Sequence, residues 1–201
     1  MARPHAWPFH LAHSTGAEVT VTLVLGGARS GKSRYAESLA RGRKVFIATA
    51  QAIDDEMRDR IAKHQQQRGA GWETVDAPLD LANTLHSFSP SFRRKPGPTA
   101  DMGQGFRRGD ETVVIDCITV WLGNLMHHER DIGTEVAALC AALKLATADV
   151  VIVSNEVGLS IVPENAMARA FRDEQGLANQ RLAEVADRVV FIAAGLPLKL
   201  K

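Results

Sequence analysis

The sequence lacks the features that mark several classes of protein. It has 2 cysteines among 201 residues, too few for the disulfide framework of a small secreted protein. Its formal net charge is only +1, so no charge excess points to a nucleic acid or a membrane surface as its main partner. No apolar run approaches the about 20 residues that span a bilayer. We therefore expect a cytoplasmic globular protein without a membrane span.

One motif dominates what the sequence does contain. An apolar, strand-like run at residues 21–25 is followed at once by G-x-x-x-x-G-K-S. The backbone N–H groups of such a loop wrap the β-phosphate of a nucleoside triphosphate, and the next helix points its positive end at the same anion. The lysine can reach the β- and γ-phosphates, and the serine hydroxyl can bind Mg²⁺. The predicted phosphate-binding loop consists of Gly26, Gly27, Ala28, Arg29, Ser30, Gly31, Lys32 and Ser33.

The rest of the sequence alternates between apolar runs and helical patterns. Continuous β-branched runs separated by helices are typical of a parallel sheet that is covered on both faces. The fold class that we predict is α/β, a single P-loop NTPase-type domain over residues 19–201. Its other predicted strands are 44–49, 72–75, 112–116, 149–155 and 189–193, and its predicted helices are 34–40, 54–68, 78–85, 118–128, 134–146 and 165–186.

Two segments do not have the periodicity of a packed core. Residues 1–18 contain scattered Pro, His and Trp but no continuous apolar stretch, so we expect a flexible extension and not a signal peptide. Residues 87–110 are rich in Pro, Gly, Ser and Arg, which predicts a mobile insertion. We interpret its basic cluster as a solvated loop and not as a nucleic-acid site.

Polar residues follow two of the predicted strands. Ligands of a parallel sheet bind beyond the carboxyl ends of the strands. Asp116 ends one apolar run, where the acidic residue of a P-loop enzyme holds Mg²⁺, usually through water; the alternative is a carboxylate that caps the next helix. Asn155 and Glu156 follow a second strand at the same edge, although such a pair is also common in a simple helix-entry loop.

His64 lies on the predicted helix 54–68, on one face with Met57 and Ile61. From this pattern alone, a half-buried structural histidine is the more common case than a reactive one. The other histidines have no partners at the spacing of metal ligands.

Several segments, in order over residues 21–201, carry a more specific signal than the phosphate loop. After the loop come residues 47–51 with 54–57, then Arg60-Ile61 with His64, then 72–74, and finally N-E-V-G at 155–158 with I-V-P-E-N at 161–165. Together they resemble the bifunctional adenosylcobinamide kinase / adenosylcobinamide-phosphate guanylyltransferase family of cobalamin biosynthesis.

The resemblance implies two reactions. A nucleoside triphosphate phosphorylates the aminopropanol hydroxyl of adenosylcobinamide, and GTP then donates GMP to that phosphate, which gives adenosylcobinamide-GDP and pyrophosphate. It implies that His64 carries the guanylyl group, that the substrates are ATP and GTP with Mg²⁺ as cofactor, with Ser33 and Asp116 as its ligands, and that the protein is a homotrimer. The residues that it places around the guanine nucleotide are Ala48, Thr49, Ala50, Gln65, Gln66, Gln67, Arg68, Asp76 and Asp116.

Two alternatives remain at this point. A single-function small-molecule or nucleotide kinase needs only the phosphate loop, and His64 would then be structural. A GTP-binding switch protein is the weaker alternative, since the N-K-x-D guanine motif is absent and the D-x-x-G at residues 173–176 lies in a helical pattern.

Overall fold

The computed structural model describes residues 19–51, 71–88 and 111–201. The predicted extension 1–18, the predicted helix 54–68 with His64, and residues 89–110 of the predicted insertion lie outside the described residues. The described strands are β1 Val21–Gly26, β2 Arg43–Ala48, β3 Trp72–Asp76, β4 Glu111–Asp116, β5 Asp149–Asn155, β6 Arg188–Ala193 and β7 Leu196–Lys199. The described helices are α1 Lys32–Leu39, α2 Leu81–Ser87, α3 Ile118–His127, α4 Ile132–Lys144 and α5 Ala166–Val185. None of these helices is long and apolar enough to cross a membrane.

The strands form one sheet in the order β3-β2-β4-β5-β1-β6-β7. All neighbouring strands are parallel except β6 and β7, which are antiparallel. The first six strands therefore have their carboxyl ends at one edge of the sheet. The end of β1 lies at the centre of that edge, where Gly26 is paired with Asn155 of β5 on one side and Ile192 of β6 on the other.

Helices cover both faces of the sheet. All six residues of β1 are buried, and successive residues point to opposite faces. Leu23 packs into a core that α2, α3, α4 and α5 complete, whereas Val24 packs on the other face with Tyr35 of α1. Burial of each such side chain contributes about 1.5–3 kcal/mol. The predicted α/β fold with a mostly parallel sheet is confirmed.

The structure differs from the predicted elements in two places. The prediction ended the sheet at residue 193, but Ala194 and Gly195 form a turn with positive φ angles of 50° and 80°, and β7 then returns along β6. The β7 sequence hides this strand because it is short, mostly exposed and contains Pro197, a residue that sheets accept at an edge.

The second difference is the start of α2, which was predicted at residue 78 and lies at Leu81. The carbonyl groups of the two residues preceding Asp80, the N-cap, accept hydrogen bonds from α3 side chains. Asn124 Nδ2 donates to the Pro78 carbonyl at 3.0 Å, and Trp121 Nε1 donates to the Leu79 carbonyl at 2.7 Å. Tertiary contacts therefore decide where this helix begins.

Candidate active site

The loop between β1 and α1 has the geometry of an anion-binding turn. Arg29 and Gly31 adopt positive φ angles of 55° and 96°, and the Ser30 N–H donates to the Gly27 carbonyl at 3.3 Å. Gly31 is the N-cap of α1 and has no side chain with which to cap the first helical N–H groups. These N–H groups and the positive end of the helix dipole therefore face the loop, where an anion is stabilised.

Gly26 is confined by its neighbours. A Cβ atom at this position would lie 2.6 Å from the Ile192 carbonyl oxygen and 2.7 Å from Ser30 Oγ. Such distances are shorter than van der Waals contact, and the backbone carbonyl belongs to the paired strand β6. At the next position, Gly27, a Cβ atom would have no neighbour within 4 Å. Only the first of these two glycines is required by packing.

We expect Gly26→Ala to lower the melting temperature, with a destabilisation of about 1–3 kcal/mol, because the new methyl group forces apart β6 and the loop. It should also weaken nucleotide binding, since the loop amides shift. Gly27→Ala is the matched control and should melt close to wild type in the same thermal scan. Equal melting temperatures for the two variants would contradict the packing argument.

Lys32 is held inside the site. It is only 8% exposed, and its Nζ donates to the Gly27 carbonyl at 2.9 Å. Burial lowers the pKa of Lys32, and the charges of Cys117 and Asp116 oppose this shift. Burial also raises the pKa of Cys117 to about 11, so that thiol is neutral at neutral pH. Asp116 is therefore the negative charge that helps to keep Lys32 protonated.

The carboxyl ends of three neighbouring strands bring the predicted residues together. Ala48 at the end of β2 is paired with Asp116 of β4 on one side and with Asp76 of β3 on the other. The Ala77 N–H also donates to the Ala48 carbonyl at 2.8 Å. The two carboxylates thus lie at the same edge of the sheet as the phosphate loop.

Thr49 fixes the backbone beside Asp116. It is fully buried, its Oγ1 donates to the Cys117 carbonyl at 2.9 Å, and the same Oγ1 accepts from the Cys117 N–H at 2.8 Å. Asn124 Nδ2 of α3 donates to the Thr49 carbonyl at 2.8 Å. The peptide bond between Asp116 and Cys117 is cis. Thr49 therefore supports the site by holding the segment that carries the Asp116 carboxylate.

The end of β5 is attached directly to the phosphate loop. The Glu156 N–H donates to the Gly26 carbonyl at 3.1 Å, and Asn155 is the register partner of Gly26. The Asn155 N–H in turn receives support from α3, because Thr119 Oγ1 accepts from it at 2.9 Å. The predicted position of Asn155 and Glu156 at this edge is confirmed.

Two buried amides on α5 complete the support of β5, and the sequence interpretation missed them. Gln175 Nε2 donates to Ser154 Oγ at 2.9 Å, Ser154 Oγ donates to Asn179 Oδ1 at 2.7 Å, and Asn179 Nδ2 donates to the Asn155 carbonyl at 3.0 Å. The signal was present: Gln175 and Asn179 are four residues apart on the face of α5 that also carries the buried Leu182. Polar residues on an apolar helix face need buried partners.

A model of the CobU family, described as cobinamide kinase / cobinamide phosphate guanyltransferase, matches residues 22–94 and 99–200. This chain belongs to the CobU family. It is therefore a bifunctional cobinamide kinase and cobinamide phosphate guanyltransferase of cobalamin biosynthesis, and the resemblance found in the sequence is confirmed. Since the family has both activities, neither a single-function kinase nor a switch protein describes the chain.

Curated CobU-family relatives match over nearly their whole length. The bifunctional adenosylcobalamin biosynthesis protein CobP of Pseudomonas aeruginosa is 42% identical over 184 residues, which covers 89% of this chain and 96% of the relative. The corresponding CobU protein of Salmonella typhimurium is 39% identical over 196 residues, covering 89% and 98%. Among solved structures, a prototypical ATPase from the type III secretion system of pathogenic bacteria aligns at 12% identity with a TM-score of 0.46, covering 90% of this chain and 56% of that one.

The CobU-family site in this chain is thus described in part. The structure brings the phosphate loop, Ala48, Thr49, Asp76 and Asp116 to one edge of the sheet. His64, Gln65, Gln66, Gln67 and Arg68 lie outside the described residues, and their roles stay predictions.

Proposed function

We propose that this enzyme phosphorylates the aminopropanol hydroxyl of adenosylcobinamide with a nucleoside triphosphate and then transfers GMP from GTP to the new phosphate. The products of the second step are adenosylcobinamide-GDP and pyrophosphate. The observation that carries this proposal is the buried Lys32, held at the phosphate loop beside Asp116 in a chain of the CobU family.

In the kinase step, the loop holds the triphosphate and the hydroxyl oxygen of adenosylcobinamide attacks the γ-phosphorus. A new oxygen–phosphorus bond forms as the bond from the γ-phosphorus to the bridging oxygen breaks, and the nucleoside diphosphate leaves. Negative charge grows on the phosphate oxygens during this transfer. The Lys32 ammonium and the N–H groups at the start of α1 stabilise that charge without having to reorganise.

The residues at the loop suit Mg²⁺. Ser33 and Asp116 would hold it, because a hydroxyl and a carboxylate are the hard oxygen ligands that this ion prefers. Over residues 19–51, 71–88 and 111–201 there is no group of three or more His, Cys, Asp or Glu residues that could form a complete metal cage. That pattern fits an ion that takes most ligands from water and substrate phosphates. When bound, Mg²⁺ neutralises charge on the phosphate oxygens.

In the guanylyl step, we propose His64 as the nucleophile. Its neutral imidazole attacks the α-phosphorus of GTP, a nitrogen–phosphorus bond forms, and pyrophosphate leaves. The phosphate of adenosylcobinamide phosphate then attacks the same phosphorus, which releases the histidine. The residues proposed to line the guanine nucleotide are Ala48, Thr49, Ala50, Gln65, Gln66, Gln67, Arg68, Asp76 and Asp116.

The resemblance of the sequence to the family supports further parts of the proposal. We propose a homotrimer located in the cytoplasm, with one catalytic domain over residues 19–201. Residues 1–18 are proposed as an extension outside that domain, and 87–110 as an insertion within it.

The proposal is tested by following both reactions with purified protein. Adenosylcobinamide and ATP with Mg²⁺ should yield adenosylcobinamide phosphate, and added GTP should then release one pyrophosphate for each adenosylcobinamide-GDP formed. Removal of Mg²⁺ with EDTA should stop both reactions. Phosphorylation without pyrophosphate release from GTP would contradict the bifunctional proposal, and so would turnover of both steps in EDTA.

A further inference from the structure

An exposed apolar loop follows β5. Residues 157–167, here named the apolar loop, connect Glu156 to the first turn of α5. Leu159 is 80% exposed and Ile161 is 92% exposed, and Val162 and Met167 are exposed by more than half of their surface as well. Single exposed apolar residues are ordinary, but several within one short segment mark a surface that binds something.

The apolar loop begins at the phosphate site. Glu156, the residue before it, donates its N–H to the carbonyl of Gly26, the first residue of the phosphate-binding loop. β5 and β1 are neighbours in the sheet, with Asn155 opposite Gly26. A substrate whose hydroxyl group reaches the γ-phosphate therefore has the apolar loop at its side.

Hydrogen bonds hold the backbone of the apolar loop at both ends. The Gly158 N–H donates to Glu156 Oε1 at 2.9 Å, and Ser160 Oγ donates to the Val157 carbonyl at 3.0 Å. At the other end, the guanidinium of Arg169 donates to the Pro163 carbonyl at 2.9 Å. The exposed side chains are thus presented on a backbone that is already fixed, which lowers the entropy that a ligand must overcome.

We propose that the apolar loop binds the corrin ring of the cobinamide substrate. This inference rests on the proposed function, because it takes the phosphate acceptor to be a cobinamide. A corrin ring is a large macrocycle with methylated, apolar faces and with amide side chains at its rim. Only its aminopropanol arm has to enter the phosphate site, so the ring lies outside, where an apolar surface beside the site gives it contact.

The inference is tested with the double variant Leu159→Ser and Ile161→Ser. Both side chains are largely exposed, so the fold should be retained. Leu145→Ser is the matched control, since Leu145 is 65% exposed but lies at the end of α4, before β5 begins, at the opposite edge of the sheet. Equilibrium dialysis with cobinamide, detected by its visible absorbance, gives the dissociation constant for each protein.

We expect the double variant to bind cobinamide more weakly by on the order of 10-fold or more, from the apolar area lost. Its KM for adenosylcobinamide should rise similarly, whereas its affinity for ATP and its labelling by GTP without acceptor should equal those of wild type. The Leu145→Ser control should behave as wild type throughout.

Two results would overturn the inference alone: an active double variant with unchanged cobinamide affinity, or a change in its native mass, which would make the apolar loop a contact between copies of the chain. A wild-type protein that phosphorylates no cobinamide would instead overturn the proposed function, and this inference with it.

Discussion

Replacement of Lys32 by alanine is expected to lower the rates of both phosphorylation and guanylyl transfer by on the order of 10²-fold or more. Both reactions build negative charge on the β- and γ-phosphates, in the kinase step on the transferred group and in the guanylyl step on the departing pyrophosphate. Lys32 is nearly buried beside the loop, where few water molecules screen its charge, so its removal leaves that charge uncompensated. Steady-state assays of each step measure the effect.

Two further variants separate charge from packing. Lys32→Met keeps an aliphatic chain of similar length and should lose activity as Lys32→Ala does. Lys144→Ala also removes one positive charge, but Lys144 is exposed at the last turn of α4 and its loss should leave both rates near wild type. Near-normal turnover of both steps in a folded Lys32→Ala protein would contradict a phosphate site shared by the two reactions.

The sequence predicts the centre of this fold well because local and long-range requirements agree there. An apolar strand, a glycine-rich loop and a helix are all needed to bind a phosphate, and β1, the loop and α1 follow in that order. β7 could not be predicted in the same way. Its four residues are mostly exposed and include Pro197, and only the pairing with β6 makes them a strand.

The site shows the same division. Asp116 was found from its place at the end of an apolar run, since parallel strands bring their carboxyl ends together. The supporting bonds were not found: Thr49 binds Cys117, 68 residues away along the chain, and Gln175 binds Ser154 across 21 residues. Such partners depend on how α3 and α5 pack on the sheet, which the pattern of one segment does not contain.

The second large effect is expected at His64. His64→Asn should lose guanylyl transfer, because an amide cannot form the covalent guanylyl intermediate. It should keep most of its kinase activity, because transfer of a γ-phosphoryl group to a hydroxyl needs the loop, Lys32 and Mg²⁺ but no covalent step. Asparagine retains a polar group of similar size, so the variant is a better control for packing than His64→Ala, for which we expect the same loss.

The guanylyl step should also depend on pH through this residue. Protonation of an imidazole near its usual pKa of about 6.5 removes the lone pair that attacks the α-phosphorus. We therefore expect the rate of guanylyl transfer in the wild-type protein to fall as the pH is lowered through this range. A transfer rate that stays constant from pH 8 to pH 5, at about those values, would exclude a neutral histidine as the nucleophile.

Incubation with GTP labelled at the α-phosphate, in Mg²⁺ and without any acceptor, tests the guanylyl-histidine most directly. The wild-type protein should gain one guanylyl group through a phosphoramidate bond that acid cleaves and base does not, and His64→Asn should gain none. A label that persists in a well-folded His64→Asn protein, or a wild-type protein that takes up no label while still converting adenosylcobinamide phosphate, would contradict the account.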